Sequence, residues 1–319
     1  MPKIFDTIII GAGPAGITAA IYTVRKNLKV LILTKDIGGQ AALSGDIENY
    51  PGFTLISGAD LARKFREDIQ LFENQGLWIK EGVEVVDLAG ADPDFLIKTS
   101  DGKEYHGKTV IVASGRVPKM LNVKGEKELF GKGVATCATC DGPLYKDKDV
   151  AIVGGGNSAL DSAFALQKVG RSVTIINNTD NLRGDEILMK NVLSSSKTKV
   201  LNNHEVIEIL GDAHVGGIKI KNKVTDQEQI LTVSGVFIEI GWTPATTFDN
   251  LTDKNDAGEI EVDAYGATSI PGIYACGDVN NLWGEQIVIA AGEGSKTALR
   301  VAEHLSKVPH QQTSNIHEG

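Results

Sequence analysis

The sequence predicts an α/β fold made of two parallel-sheet domains, the second inserted in the first. Three observations predict it. A glycine-rich turn at residues 11–16 stands between an apolar run and a helical pattern, and residues 154–159 repeat that arrangement. The part of the chain from Gly258 onward has no third such turn, so it reads as a return that completes the first domain. At roughly 100–200 residues per domain, a chain of 319 residues accommodates two. The expected boundaries are 1–115 and 244–319 for the first domain and 116–243 for the second. Both units are of the Rossmann-like, three-layer ββα kind.

The elements follow in order. Residues 5–10 form an apolar strand, GAGPAG follows, residues 17–25 read as a helix and residues 30–33 as a second strand. Gly38-Gly39-Gln40 and Asn49-Tyr50-Pro51-Gly52 mark loops, and residues 61–75 an amphipathic helix. Residues 78–86, 95–99 and 104–105 look like short meander strands, and residues 110–114 like a buried strand ending at Gly115. The plan then restarts: strand 149–153, GGGNSA, a helix to Val169, strand 172–176, and a meander over 206–210, 217–221 and 231–240. Strand 272–275 and a helix over 287–305 close the chain, before a polar tail from Pro309 expected to be mobile.

Composition narrows the function. With 42% hydrophobic and 23% charged residues the chain has an ordinary globular balance, but its 36 glycines exceed the roughly 7% that is usual. A net charge of −9 argues against nucleic acid and anionic membranes as partners. No apolar stretch approaches the roughly 20 residues of a membrane span. The N-terminal MPKIFD enters a strand at once, which leaves no room for a leader and suggests a cytoplasmic protein. Cys137, Cys140 and Cys276 are too few to staple the fold. Cys137 and Cys140 form a CxxC, which in a reducing compartment points to redox chemistry or metal. A structural zinc site needs four ligands, and neither Cys276 nor the histidines at 106, 204, 214, 304, 310 and 317 supply a second pair, so no metal is expected.

The glycine turns carry a specific chemistry. The first glycine makes the turn, the second lets a pyrophosphate approach the backbone, and the third lets helix and strand pack closely. The helix start adds free N–H groups and positive potential. Gly11, Gly13 and Gly16 fit this pattern, with Pro14 and Ala15 between, and Gly154, Gly156 and Ala159 fit its alanine-ended variant around Asn157 and Ser158. Two such sites in one chain imply a flavin and a nicotinamide dinucleotide.

GAGPAGITAAIY, GGQ, IENYPG, CATCDG, GGGNSALDSA and YACGDV occur here in that order, and together they resemble low-molecular-weight thioredoxin reductases over nearly the whole chain. The flavoprotein subunit of alkyl hydroperoxide reductase is a near relative of that family. The resemblance implies FAD at the first fingerprint and a nicotinamide dinucleotide at the second. It implies further FAD contacts from Gly39, Gln40, Asn49, Val83, Ala113, Ser114, Gly115, Gly277, Asp278, Gln286 and Ile287. Asp278 would hold the ribityl chain, with Gln40 and Asn49 near the ring. The acid usually found about 20 residues past the glycines is not evident, the second strand ending at Thr34-Lys35.

By the same resemblance the Cys137–Cys140 disulfide passes electrons from flavin to thioredoxin or a thioredoxin-like protein. Cys140 would face the flavin, Cys137 would be the interchange thiol, and Asp141 would manage the proton. A helix start beside the pair would lower a thiol pKa. The family alternates two domain orientations, which places hinges near residues 115–118 and 241–244, and it forms homodimers.

The electron donor is where the match breaks. NADPH-dependent members follow the second fingerprint's strand with His-Arg-Arg-Asp-x-x-Arg, whose guanidinium groups grip the 2′-phosphate. This chain has Asn177-Asn178-Thr179-Asp180-Asn181-Leu182-Arg183. Two missing charge-assisted contacts, each worth about 1.5–3 kcal/mol, would weaken NADPH by orders of magnitude. Asn178 and Arg183 remain to meet a ribose. Three donors stay open: NADH, a non-nicotinamide donor such as ferredoxin, or NADPH through Arg183 and lysines. Glu285 stands where relatives usually carry Arg. Two other roles stay open as well: electron supply to a peroxidase, and a flavin-bound redox sensor with little turnover. Peroxidase-linked relatives usually carry an extra thioredoxin-like domain ahead of the FAD strand.

Overall fold

The computed structural model describes residues 4–44 and 46–307. The expectations for the tail from Pro309, and the reading of the first three residues, lie outside that range. The chain forms two compact units, one from the residues up to Arg116 with those from Pro244, the other Val117–Thr243.

The first unit is a seven-stranded sheet in the order Leu77–Lys80, Val30–Ile37, Phe5–Ala12, Glu104–Val112, Asp94–Thr99, Val85–Ala91, with Ile273–Ala275 also paired to Glu104–Val112. Its first four strands and Ile273–Ala275 run parallel, and the other two are antiparallel. Side chains alternate across the sheet. Ile9 and Ile32 join one apolar cluster with the helix Pro14–Val24, whereas Ile8, Ile10, Leu31 and Leu33 join another on the opposite face. The helix Ile287–Lys307 packs on Pro14–Val24, where Gly294 permits close approach: a Cβ there would lie 2.1 Å from the Ala15 carbonyl oxygen.

The second unit has a five-stranded parallel sheet in the order Val134–Ala135, Gly235–Ile238, Asp149–Val153, Ser172–Ile176, Thr198–Leu201. A separate antiparallel sheet joins His204–Gly211, Val215–Asn222 and Glu228–Leu231. The same alternation puts Ala151 and Val153 in one cluster and Val150 and Ile152 in the other. Arg116–Pro118 and Trp242–Pro244 pair where the chain crosses between units.

Several expected elements change shape. Residues 104–105 and 110–112 belong to one strand, Glu104–Val112, which stops before the expected 113–114; its first half pairs with Asp94–Thr99 and its second half pairs with Ile273–Ala275. Gly107 and Lys108 look like a break in the sequence. In the strand, a Cβ on Gly107 would crowd Ile8 at 2.9 Å, and Lys108 Nζ reaches Asp6 at 2.8 Å. Residues 78–86 divide into Leu77–Lys80 and Val85–Ala91, separated by Gly82 at φ +76°. Residues 231–240 divide between Glu228–Leu231 and Gly235–Ile238, which belong to different sheets. The amphipathic helix is Gly58–Gln70, starting earlier than expected because Ser57 Oγ accepts the Asp60 N–H at 3.1 Å. The helix Glu186–Leu193 has no counterpart among the expected elements; Asp185 caps it by accepting the Ile187 and Leu188 N–H groups.

Candidate functional site

The loop of residues 11–16 joins the strand Phe5–Ala12 to the helix Pro14–Val24. Its glycines do different work. Gly11 is at φ +104°, and a Cβ there would lie 2.3 Å from the Ala113 carbonyl oxygen, while one on Gly16 would lie 2.0 Å from the Gly11 carbonyl oxygen. A Cβ on Gly13 would meet nothing within 4 Å. Gly13 is the N-cap, without a side-chain cap, and Pro14 follows. The loop is thus tightly packed from behind and open at one glycine, where the free N–H groups of a helix start can receive an anion. Ala15 is buried among the neighbours that hold this loop. This donor set and this open cradle fit a dinucleotide pyrophosphate.

Around it the structure gathers distant polar residues. Gln40 Nε2 donates to the Arg116 carbonyl at 3.0 Å, and Gly115, at φ +65°, lies beside Gln40. Arg116 Nε donates to the Asp278 carbonyl at 2.9 Å. Asn49 Nδ2 donates to Gln286 Oε1 at 3.0 Å, directly before Ile287 opens the last helix. Ser114 Oγ donates to the Ala245 carbonyl at 2.7 Å. Glu293, buried, accepts the Gly277 N–H and the Asn280 side-chain N–H, each at 2.8 Å. Burial pushes the Asp278 carboxyl up; Glu285 raises it further, Arg116 pulls it down and Glu293 adds a smaller rise. Val83 is buried in the cluster that contains Leu33, and its N–H donates to the Thr34 carbonyl at 3.0 Å.

Sequence reasoning misses one acid here. The second strand runs to Ile37, so Asp36 stands near its end, exposed, accepting the Gly39 N–H at 3.1 Å. It is a candidate for the ribose contact that the sequence does not make evident. The signal is the length of the strand, which continues past Thr34-Lys35.

In the other unit Gly154 is at φ +144°, and a Cβ there would lie 2.1 Å from the Glu239 carbonyl oxygen. Gly156 caps the helix Asn157–Val169 without a side-chain cap, Ser158 is exposed and Ala159 is buried beneath the turn. Asn157 Oδ1 accepts the Asp185 N–H at 2.8 Å. The segment after the strand Ser172–Ile176 folds over this turn. The buried Asn177 bonds Thr179 and Asn202, and the Arg183 N–H donates to the Gly155 carbonyl at 2.7 Å. Asn178 and Arg183 are exposed. Lys223 Nζ donates to the Asn178 carbonyl at 3.1 Å. Lys223 is distant in sequence, and only the antiparallel sheet brings it to this loop. Glu239 is pushed up to about 7 by burial; the Ser162 hydroxyl, donating at 2.5 Å, lowers it and Asp161 raises it.

Cys137 and Cys140 are disulfide-bonded. Cys137 is the N-cap of the single turn Ala138–Asp141, and its Sγ accepts the Cys140 N–H at 3.1 Å. Cys140 is exposed, whereas Cys137 is half-buried. Burial pushes the Cys276 thiol far up, which makes it a poor nucleophile. Among the described residues, no group of three or more His, Cys, Asp or Glu could hold a metal ion, and no helix is long and apolar enough to cross a membrane.

Comparison with known proteins agrees with this geometry. Residues 5–294 match the model of the pyridine nucleotide-disulphide oxidoreductase family. The chain is 40% identical to thioredoxin reductase of Bacillus subtilis over 96% of both chains. It is 34% identical to a component of the alkyl hydroperoxide reductase of Staphylococcus aureus over 94% of this chain, and it spans 59% of that protein's length. Among solved structures, Lactococcus lactis thioredoxin reductase superposes with a TM-score of 0.85 at 34% identity, over 95% of this chain and 100% of that one. A ferredoxin-flavin thioredoxin reductase from Clostridium acetobutylicum gives 0.52 at 31% identity, over 95% and 98%.

Proposed function

The chain belongs to the pyridine nucleotide-disulphide oxidoreductase family, as a thioredoxin-reductase-like flavoprotein disulfide reductase, and we propose that it reduces thioredoxin or a thioredoxin-like protein with electrons from NADH or from a non-nicotinamide donor such as ferredoxin, in preference to NADPH. In this reading it acts as a cytoplasmic homodimer, with residues 1–115 and 244–319 as the FAD domain and 116–243 as the domain of the nucleotide and the disulfide.

FAD would lie on the Gly11–Gly16 loop, with Gly39, Gln40, Asn49, Asp278 and Gln286 around it, and when bound it supplies two-electron exchange with a disulfide. The chain's own groups do the rest. Reduction of the Cys137–Cys140 bond by two electrons leaves two thiolates, and Asp141 returns a proton to one of them. The Cys137 thiolate attacks one sulfur of the partner's disulfide, and the other partner sulfur leaves as thiolate. Cys140, giving its proton back to Asp141, then attacks Cys137 in the mixed disulfide, which restores the internal bond; the second partner sulfur leaves as thiolate, and Asp141 and water protonate the two released sulfurs. The Cys140 N–H donates to Cys137 Sγ at 3.1 Å, the sulfur that acts as nucleophile in this reading.

The donor preference rests on one observation: Asn178 and Thr179 occupy the place of the paired arginines. The structure of a relative named for ferredoxin supports the second of the two donors. Lys223, beside Asn178, favours NADPH instead, because it adds one cation to the loop. Anaerobic mixing of the oxidised protein with equal concentrations of NADH, NADPH or reduced ferredoxin, followed by flavin bleaching, separates these. Faster bleaching by NADH or ferredoxin is expected. Fast, saturable reduction by low NADPH that is lost in K223M overturns the preference and establishes the lysine reading.

A further inference from the structure

Arg116 ends the first unit's N-terminal segment, and its contacts exceed what a crossover residue requires. Its side chain is 14% exposed, and one guanidinium nitrogen meets Glu259 at 2.5 Å and Glu285 at 2.7 Å. Its Nε donates to the Asp278 carbonyl, and its own carbonyl accepts from Gln40. Three charged groups act on the Asp278 carboxyl: Arg116 from the crossover strand, Glu285 from the loop before the last helix, and Glu293 from that helix. Arg116 is the one cation among them. Glu285, which departs from the usual arginine, therefore has a partner: with the cation placed at 116, a carboxylate belongs at 285.

We propose that Arg116 is a positioning residue for the Gly277–Asn280 loop, pinning its backbone through the Asp278 carbonyl so that the Asp278 side chain meets a hydroxyl of the bound flavin. Glu259 and Glu285 hold the guanidinium for that task. The inference rests on the reading that this loop contacts FAD.

Electrostatics gives it a signature that loss of packing would not produce. Without Arg116, Asp278 stands between two carboxylates and burial, so its carboxyl takes up a proton at higher pH. Without the Glu285 charge it holds its proton only at lower pH. Flavin affinity that depends on the carboxylate must then fall at higher pH in R116Q, and at lower pH in E285Q, than in wild type.

The test uses purified holoenzymes of wild type, R116Q, R116K and E285Q. Free FAD is read by its fluorescence after serial dilution between pH 5.5 and 8.5, and urea unfolding is recorded in parallel. R116Q should bind FAD about tenfold more weakly at neutral pH, the scale of a lost charge-assisted bond, with R116K between it and wild type. The pH profiles of R116Q and E285Q should move in opposite directions. Shifts of the two profiles in the same direction, or R116Q affinity within about twofold of wild type at every pH, overturn the proposal. If R116Q does not fold, the direction of the E285Q shift decides: downward supports it, none or upward refutes it. A wild-type protein that holds no FAD at any pH would instead remove the flavin reading itself.

Discussion

Replacing Gly13 and Gly16 by alanine, one at a time, separates the glycine that serves the ligand from the glycine that serves the fold. At Gly13 the backbone is at φ −73°, ψ −175°, which alanine adopts freely, and the new methyl meets no atom within 4 Å. The unfolding free energy of the flavin-free protein should change by no more than about 0.5 kcal/mol. If FAD lies on this loop as proposed, the methyl stands where its pyrophosphate would approach, so FAD affinity should fall at least about tenfold, or ~1.4 kcal/mol. At Gly16 the methyl would lie 2.0 Å from the Gly11 carbonyl oxygen, against 3.4 Å for ordinary contact, so the two backbones must part by 3.4 − 2.0 = 1.4 Å. Overpacking of that kind costs about 1–3 kcal/mol before any ligand is added. Urea unfolding of the two flavin-free proteins and fluorescence titration with FAD measure the two effects. If G13A binds FAD like wild type, or destabilises the flavin-free protein as much as G16A does, the division of labour is wrong.

Cys140→Ser should leave the protein fully loaded with FAD while abolishing reduction of a thioredoxin disulfide; retained turnover in that variant would reject the redox role of the pair. Glu239 supplies a pH test. Burial raises its carboxyl from 4.5 to about 7, so the folded state favours the neutral form. The associated stability is fully present below pH 4.5 and is lost as pH rises through 7, on the order of 3 kcal/mol in all. Glu239→Gln, which can still accept from Ser162, should therefore be more stable than wild type at pH 8.5 and no better at pH 4.5, as read by urea midpoints.

The two glycine fingerprints and the CxxC are legible because each is contiguous: the chemistry of a tight turn or a vicinal thiol pair is written within a few residues. Asp36 is hidden for a local reason, since Thr34-Lys35-Asp36 reads as polar loop although the strand continues through it to Ile37. The strand Glu104–Val112 is hidden because it has two kinds of partner along its length, and Gly107 looks like punctuation when it is a packing choice against Ile8. Glu186–Leu193 carries its own start signal in Asp185, but Ile187 and Leu193 face solvent and blur the helical stripe. The partners of Arg116 lie at 259, 278 and 285, and that of Asn178 at 223. Such pairings depend on tertiary folding and have no trace in local pattern.

Each of the four apolar clusters is confined to one unit. A yellow preparation would therefore vouch for only part of the molecule. Damage inside residues 117–243 could leave the pigment in place and still yield an inert enzyme, so colour and turnover have to be scored as separate traits.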